Sequence, residues 1–277
     1  MSFDLHSHST ASDGTLSPSE LVYLAHDQGV RVLALTDHDS SAGLEEAQQA
    51  AARVGLRLIP GVEISVTWGG ETVHILGLNI DPSDRQLSQG LARLTALRGW
   101  RAEEIGNRLA RAGVTDAYAG AKAYASGACI TRTHFARFLI ETGYASSMQE
   151  TFRQFLGRGR PAHVPIQWAS LEEAVAWITG AGGQAVVAHP TRYKLSRGQL
   201  HKLFSQFKGC GGVGIEVITG SQTREEWRIT AHYAKTFGLL AASGSDYHGP
   251  GHPWAGLGQL PALPEGCAPI WESWSPP

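Results

Sequence analysis

A chain of 277 residues with 42% hydrophobic content can bury a large core, as one domain or as a domain carrying an insertion. Its formal net charge of −2 excludes strong non-specific attraction to nucleic acid or membrane and leaves room only for a locally basic cleft. Cys129, Cys210 and Cys267 are too few and too far apart for a disulfide framework or a cysteine zinc site, no leader-like amino terminus is evident, and no apolar run approaches the ~20 residues that span a bilayer; the expectation is a soluble, cytoplasmic protein with no obligate protein partner.

Taken in order, residues 3–6 read as a short apolar strand running into His6-Ser7-His8. Strand side chains alternate, so the two histidines project to one side, and Asp13 follows within one loop. Ser17-Pro18-Ser19-Glu20 starts a helix, with Ser17 as cap and Pro18 in the first turn, and Gly29 stops it. Residues 30–36 form the next strand, ending in Asp37-His38-Asp39, and residues 43–54 form an alanine-rich helix. Residues 57–63 repeat the pattern and end on Glu63. The runs 72–78, 184–188, 213–218 and 239–243 complete a set of about seven strands.

Between about 81 and 165 helical spacing takes over, through Leu87, Leu91, Leu94, Leu97, Ile105 and Leu109 and then Phe135, Phe138, Leu139, Phe152, Phe155 and Leu156. This stretch is expected to be an inserted, mainly helical cap packed over the rest, which comprises 1–80 and 166–277. Arg98, Arg101, Arg108 and Arg111, on one helix with Glu103 and Glu104, read as a largely solvated, ion-paired face. Trp100, Trp168, Trp177 and Trp227 read as core.

The polar residues carry the functional signal. Strand after strand ends in a metal-ligand type: His6 and His8, His38, Glu63, His189 and Asp246, with His74 inside the fourth run. Barrels of alternating strands and helices build their sites at the carboxyl ends of the strands, so these residues are expected to converge on one mouth. The fold class is α/β, a distorted β/α barrel, closed or incomplete. Imidazole with carboxylate is a donor set for zinc, manganese or iron. Asp37 and Asp39 are expected to orient neighbours or cap the following helix. No cysteine-phosphatase loop, nucleophile elbow or P-loop is present, so no protein nucleophile is indicated.

Together, His6-Ser7-His8, Thr36-Asp37-His38, Gly61-Val62-Glu63, Ala188-His189-Pro190 and Gly244-Ser245-Asp246-Tyr247-His248 resemble the polymerase-and-histidinol-phosphatase (PHP) domain family. The resemblance implies a distorted seven-stranded (β/α)7 barrel that hydrolyses phosphoesters with two or three divalent metal ions. The run from Ile130 to Leu139, Gln167-Trp168 and Trp271-Glu272-Ser273-Trp274 further resemble a bacterial subfamily of 3',5'-nucleoside bisphosphate phosphatases and 5'-to-3' exoribonucleases acting on short 5'-phosphorylated RNA. By that resemblance His6, His8, Glu63 and Asp246 hold one ion, Asp13, His38 and His248 a second, and Glu63, His74 and His189 a third. Asp13 stands where some members carry histidine, which favours Mn2+ over Zn2+, with Fe2+ or Mg2+ as alternatives.

The implied reaction is in-line attack by a metal-bridging hydroxide on the 3'-phosphorus, with His189 or His248 as candidate proton donor to the leaving oxygen. Arg132 and His134, just inside a helix start at Thr131, are candidates for the substrate's 5'-phosphate. Arg192 and Tyr193 follow His189 closely enough to reach the mouth. Two other readings stay open: hydrolysis of another small phosphomonoester such as histidinol phosphate, and a non-catalytic, polymerase-associated module.

Overall fold

Seven strands form one sheet in sequence order. The protein is represented by a computed structural model that describes residues 2–125, 127, 129–250 and 256–274. Its elements are β1 (Phe3–Asp4), α1 (Pro18–Asp27), β2 (Val32–Leu35), α2 (Leu44–Val54), β3 (Arg57–Trp68) and β4 (Glu71–Leu78), then α3 (Arg85–Arg111), α4 (Ala117–Ala123), α5 (Arg132–Glu141) and α6 (Met148–Thr151). A π-helical turn, Phe152–Leu156, continues α6. Then come α7 (Leu171–Gly180), β5 (Gln184–Val187), α8 (Arg197–Gly209), β6 (Gly214–Thr219), α9 (Arg224–Phe237) and β7 (Leu240–Gly244).

Local chemistry explains the starts and stops. Ser17 accepts from the Glu20 amide while Glu20 accepts from the Ser17 amide, a reciprocal box at the start of α1, and Ser170, Ser196 and Thr223 open α7, α8 and α9 in the same way. Strand β2 is buried along its whole length, as a parallel strand covered on both faces must be. The ring closes where the Leu5 amide donates to the Ser243 carbonyl and the Asp246 amide to the His6 carbonyl, both at 2.9 Å.

One departure from strict strand–helix alternation moves a key residue. No helix lies between β3 and β4; Gly69 and Gly70, at φ 58° and 81°, make a two-residue turn that folds β4 back antiparallel. As the first arm of that hairpin, β3 runs on to Trp68, so Glu63 sits inside a strand rather than at its end. At the other extreme β1 is only two residues long, and His6 and His8 lie just beyond it.

The barrel interior is filled by Leu5, Val32, Ala34, Ile59, Leu76, Leu78, Val186, Ala188, Ala242 and Ile270. Ile270 belongs to a short 3-10 turn near the carboxyl terminus, and Trp271 beside it stacks on Phe3 with centroids 4.1 Å apart. This segment seals the amino-terminal end of the barrel. A second buried cluster, with Ile105, Leu109, Phe135, Leu139 and Leu156, lies within residues 102–164. Helix α3 serves both, with Leu87, Leu91 and Leu94 in the layer around the barrel and Ala102, Ile105 and Leu109 in the second cluster. Trp100, expected in the core, is 54% exposed on this helix. Among the described residues no helix is long and apolar enough to cross a membrane.

Candidate metal centre

All nine sequence-predicted ligands meet at the carboxyl-terminal mouth of the barrel. Three overlapping groups bring their donor atoms within 4.8 Å of one another: His6, His8, Glu63 and Asp246; His8, Asp13, His38 and His248; and His38, Glu63 and His74. His189 joins through Glu63, its Nε2 2.9 Å from Oε1. Glu63, His8 and His38 each lie in two of these groups.

The geometry of these atoms fits cations. Nδ1 of His38 and Oε2 of Glu63 are 2.9 Å apart, yet both are buried without a hydrogen-bond partner, so they converge on a common point instead of bonding each other. Asp13 Oδ1, His8 Nδ1 and His189 Nδ1 are likewise buried and unpartnered. A protein does not leave so many polar atoms orphaned in one place without a ligand to satisfy them.

Charge is concentrated to match. Burial works to raise the Glu63 carboxyl, but His38, His74 and His6 outweigh it and hold it well below the usual carboxylate range. For Asp246 burial is outweighed by His6 and Arg192, and for Asp13 by His248 and His38. Burial and the neighbouring His248 push His8 down to about 3, leaving it a neutral donor at neutral pH, while Asp13 and Asp246 overcome burial to lift His248 to about 9.

The surrounding shell explains how these side chains are held. Buried Glu216, in the middle of β6, accepts from His6 Nδ1 at 2.9 Å and from the His189 amide at 2.6 Å, which turns His6 Nε2 toward the centre. Glycine is required at 244, because a Cβ there would lie 2.3 Å from the His6 Cβ and 2.8 Å from Glu216 Oε1. Asp37 accepts from the Ser9 amide and from the Ser9 and Ser12 hydroxyls, tying the Asp13 loop to the His38 loop. Asp39 accepts from the Ser65 amide and pairs with Arg98. Backbone strain gathers here too: Asp39, His189 and Asp246 have φ of 50°, 27° and 54°.

A cavity of about 810 Å³ opens above the cluster. Its floor presents Asp13, His38, Glu63, His74, His189, Asp246 and His248, with His6 and His8 fully buried beneath. Tyr124, Ile140, Met148 and Phe152 form a wall from the other side, and Thr133, Arg137 and Arg192 add polar groups.

The expected substrate contacts divide. Arg192 lines the cavity, where it pairs with Asp246 and donates to Ser221. Tyr193 does not: its hydroxyl accepts from the His74 amide and donates to the Ala188 carbonyl, both at 2.8 Å, clamping β4 to the end of β5. His134 is buried and accepts from the Thr131 amide through Nδ1, completing the cap of α5, and Arg132 lies over the Phe152 ring at 5.3 Å. Neither lines the cavity; Thr133 and Arg137, one turn apart on the same face of α5, do. Sequence reasoning missed Arg137 and Glu216. Helical spacing from Thr133 would have found the first, and a lone carboxylate in an apolar strand the second.

The arginines of α3 also correct the expectation. Arg108 and Arg111 pair with Glu104 on the surface, but Arg98 is buried and Arg101 is held over the Trp168 ring at 5.5 Å with its Nε buried and unpartnered. Burial, with the charges of Arg132 and Arg98, pushes Arg101 down to about 9.

The chain is similar to known proteins along nearly its whole length. A PHP domain model matches residues 4–248. The chain is 46% identical to a 5'-3' exoribonuclease of Haemophilus influenzae over 98% of both chains, and 46% identical to a 3',5'-nucleoside bisphosphate phosphatase of Chromobacterium violaceum over 97% of this chain and 94% of that one. A crystal structure from Bifidobacterium adolescentis, described as a metal-dependent phosphoesterase, superposes with a TM-score of 0.82 at 30% identity over 97% of this chain and 92% of that one. With ligand-type residues converging on the mouth of a seven-stranded barrel and this likeness along nearly its full length, the chain belongs to the PHP domain family.

Proposed function

We propose that the protein is a phosphoric ester hydrolase that removes the 3'-phosphate of 3',5'-nucleoside bisphosphates, or releases 5'-mononucleotides from short 5'-phosphorylated RNA, at this cavity. The two reactions break the same phosphorus–3'-oxygen bond, and one relative is named for each. The observation that carries the reading is the convergence of nine imidazoles and carboxylates, several of their atoms unpartnered, on and just beneath the floor of a cavity sized for a nucleotide.

His6, His8, Glu63 and Asp246 would hold one ion, Asp13, His38 and His248 with His8 a second, and Glu63, His74 and His189 a third. Bound there, divalent ions supply an acidified water and positive charge opposite the phosphoryl oxygens. Manganese is our choice, because Asp13 hardens the second group. The chain's own part is orientation. Arg137 and Arg192 face the reacting phosphate, and Tyr124, Ile140, Met148 and Phe152 offer an apolar wall for the nucleoside. His189 and His248 both line the cavity and are the two candidate proton donors to the leaving oxygen.

A second phosphate finds its charge behind Phe152. Arg101 and Arg132 repel each other there, and His163 is held below its usual range by burial and by Arg101, Arg132, Arg108 and Arg158. Such like charge calls for an anion, and we assign it the 5'-phosphate, with residues 81–165 acting as the cap that carries this recognition. Arg132→Ala should raise KM about tenfold for 5'-phosphorylated substrates and leave substrates lacking that group unchanged; equal effects on both would remove Arg132 from this role. A cytoplasmic location, consistent with three free cysteines, belongs to the same reading.

The decisive experiment is turnover of adenosine 3',5'-bisphosphate and of a 5'-phosphorylated trinucleotide, with and without manganese. Phosphate or mononucleotide release that depends on the metal is expected. Hydrolysis of small phosphomonoesters alone would point to another phosphatase, and a metal-loaded chain inert on every ester to a binding module.

A further inference from the structure

The two oxygens of Asp13 have different neighbours. Oδ2 accepts from the Thr131 hydroxyl at 3.1 Å and the Thr133 hydroxyl at 3.0 Å, both at the start of α5. Oδ1, buried and without a hydrogen-bond partner, faces His248 Nε2 at 3.3 Å and His38 Nε2 at 3.9 Å. Two donors on one oxygen fix the rotation of the carboxylate and leave the other oxygen to the ion.

The same region grips the neighbouring loop. From α3, the Thr95 hydroxyl donates to the Asp39 carbonyl at 3.2 Å and Arg98 pairs with the Asp39 carboxylate; the Cys129 thiol reaches the His38 carbonyl at 3.7 Å. Residues within 81–165 therefore brace both Asp13 and the His38 loop. The group containing His6 and Asp246 is braced differently, by Glu216 on His6 and by Arg192 on Asp246, both from the barrel.

We infer that Thr131 and Thr133 are positioning residues for the ion held by Asp13, His38 and His248, so that the segment covering the mouth also sets the affinity of one metal site and not of the others. The inference rests on the metal centre proposed above. Outer partners of ligands commonly contribute ten- to a hundredfold to metal affinity, and here that contribution comes from the start of α5 to the loop that carries Asp13.

Thr133→Val is the clean variant: it keeps shape and removes a hydroxyl whose partner is Asp13, while Thr131 stays in place as the cap of α5. Manganese binding to the metal-free full-length chain, followed by calorimetry and by counting ions retained after gel filtration, gives a readout independent of turnover. One class of site should weaken about ten- to a hundredfold in Thr133→Val, the other classes should stay as in the wild type, and Thr133→Ser should restore the lost affinity. Wild-type binding that is identical in Thr133→Val, or a uniform loss at every site, would overturn the inference while leaving the metal centre standing. A wild-type chain that binds no manganese or other divalent ion would remove the centre and the inference with it.

Discussion

The two ends of the barrel are built from the same seven strands and have opposite chemistry. At the amino-terminal end Phe3, Ile270, Trp271 and Trp274 close the interior with apolar surface, and Trp274 donates its indole N–H to Gln184 at the start of β5. At the carboxyl-terminal end the interior side chains become His6, His8, Glu63, His189 and Asp246, all buried and packed against one another's charge. The contrast teaches where stability and chemistry are kept. Burial of apolar atoms favours the fold, whereas buried ionisable groups demand partners and disfavour it unless an ion satisfies them.

Substitution at the two ends should therefore separate activity from stability. His38→Ala and Asp246→Asn are expected to lower turnover by about 10³-fold or more, because metal assistance is worth several kcal/mol and each 1.4 kcal/mol is tenfold. Their melting temperatures without metal should be unchanged or higher. Ile270→Ala should do the reverse, losing about 2–5 kcal/mol of stability through the cavity it opens, with kcat unaltered wherever the molecule is folded. Denaturant titration alongside steady-state kinetics measures both. A ligand substitution that unfolds the chain, or an Ile270 variant that is stable but inactive, would break the division.

How much of this was legible in the chain depends on the range of the interactions involved. Strand periodicity and the ligand types beside it were local signals, and they located the seven strands and placed His6, His8, His38, Glu63, His74, His189 and Asp246 at one mouth with Asp13 in a loop beside them, whereas His248 came only with the family resemblance. What failed was long-range or rotational. Arg98 looks solvated beside Glu103 on its own helix, because its true partner, Asp39, lies 59 residues away in sequence. Tyr193 is adjacent to the mouth in sequence but its hydroxyl is spent on the backbone of β4 and the end of β5. On α5 the helix start was legible but not which residues face the cavity: Thr133 and Arg137 do, while His134 turns back to cap the helix and Arg132 lies over the Phe152 ring. The extent of β3 was hidden because the Gly69-Gly70 turn joins two runs that each read as separate strands.

Glu216 lies on the border between the two ends, and it gives the finest test of where one stops and the other begins. It is fully buried in β6 among apolar neighbours, as a member of the structural end would be, yet both oxygens are engaged by candidate ligand residues, His6 through its ring and His189 through its amide. Glu216→Gln preserves size and burial but supplies one acceptor where two are needed, so the amide NH2 must face either the His189 N–H or the His6 ring. If Glu216 belongs to the chemical end, metal affinity should fall about ten- to a hundredfold, with a melting temperature near that of the wild type measured without metal. If it belongs to the structural end, stability should drop while the affinity of the folded molecule is kept. Metal titration at a temperature well below unfolding distinguishes the two, and loss of affinity is the expected result, because an acceptor-only carboxylate is what holds the His6 tautomer that turns Nε2 toward Glu63 and Asp246.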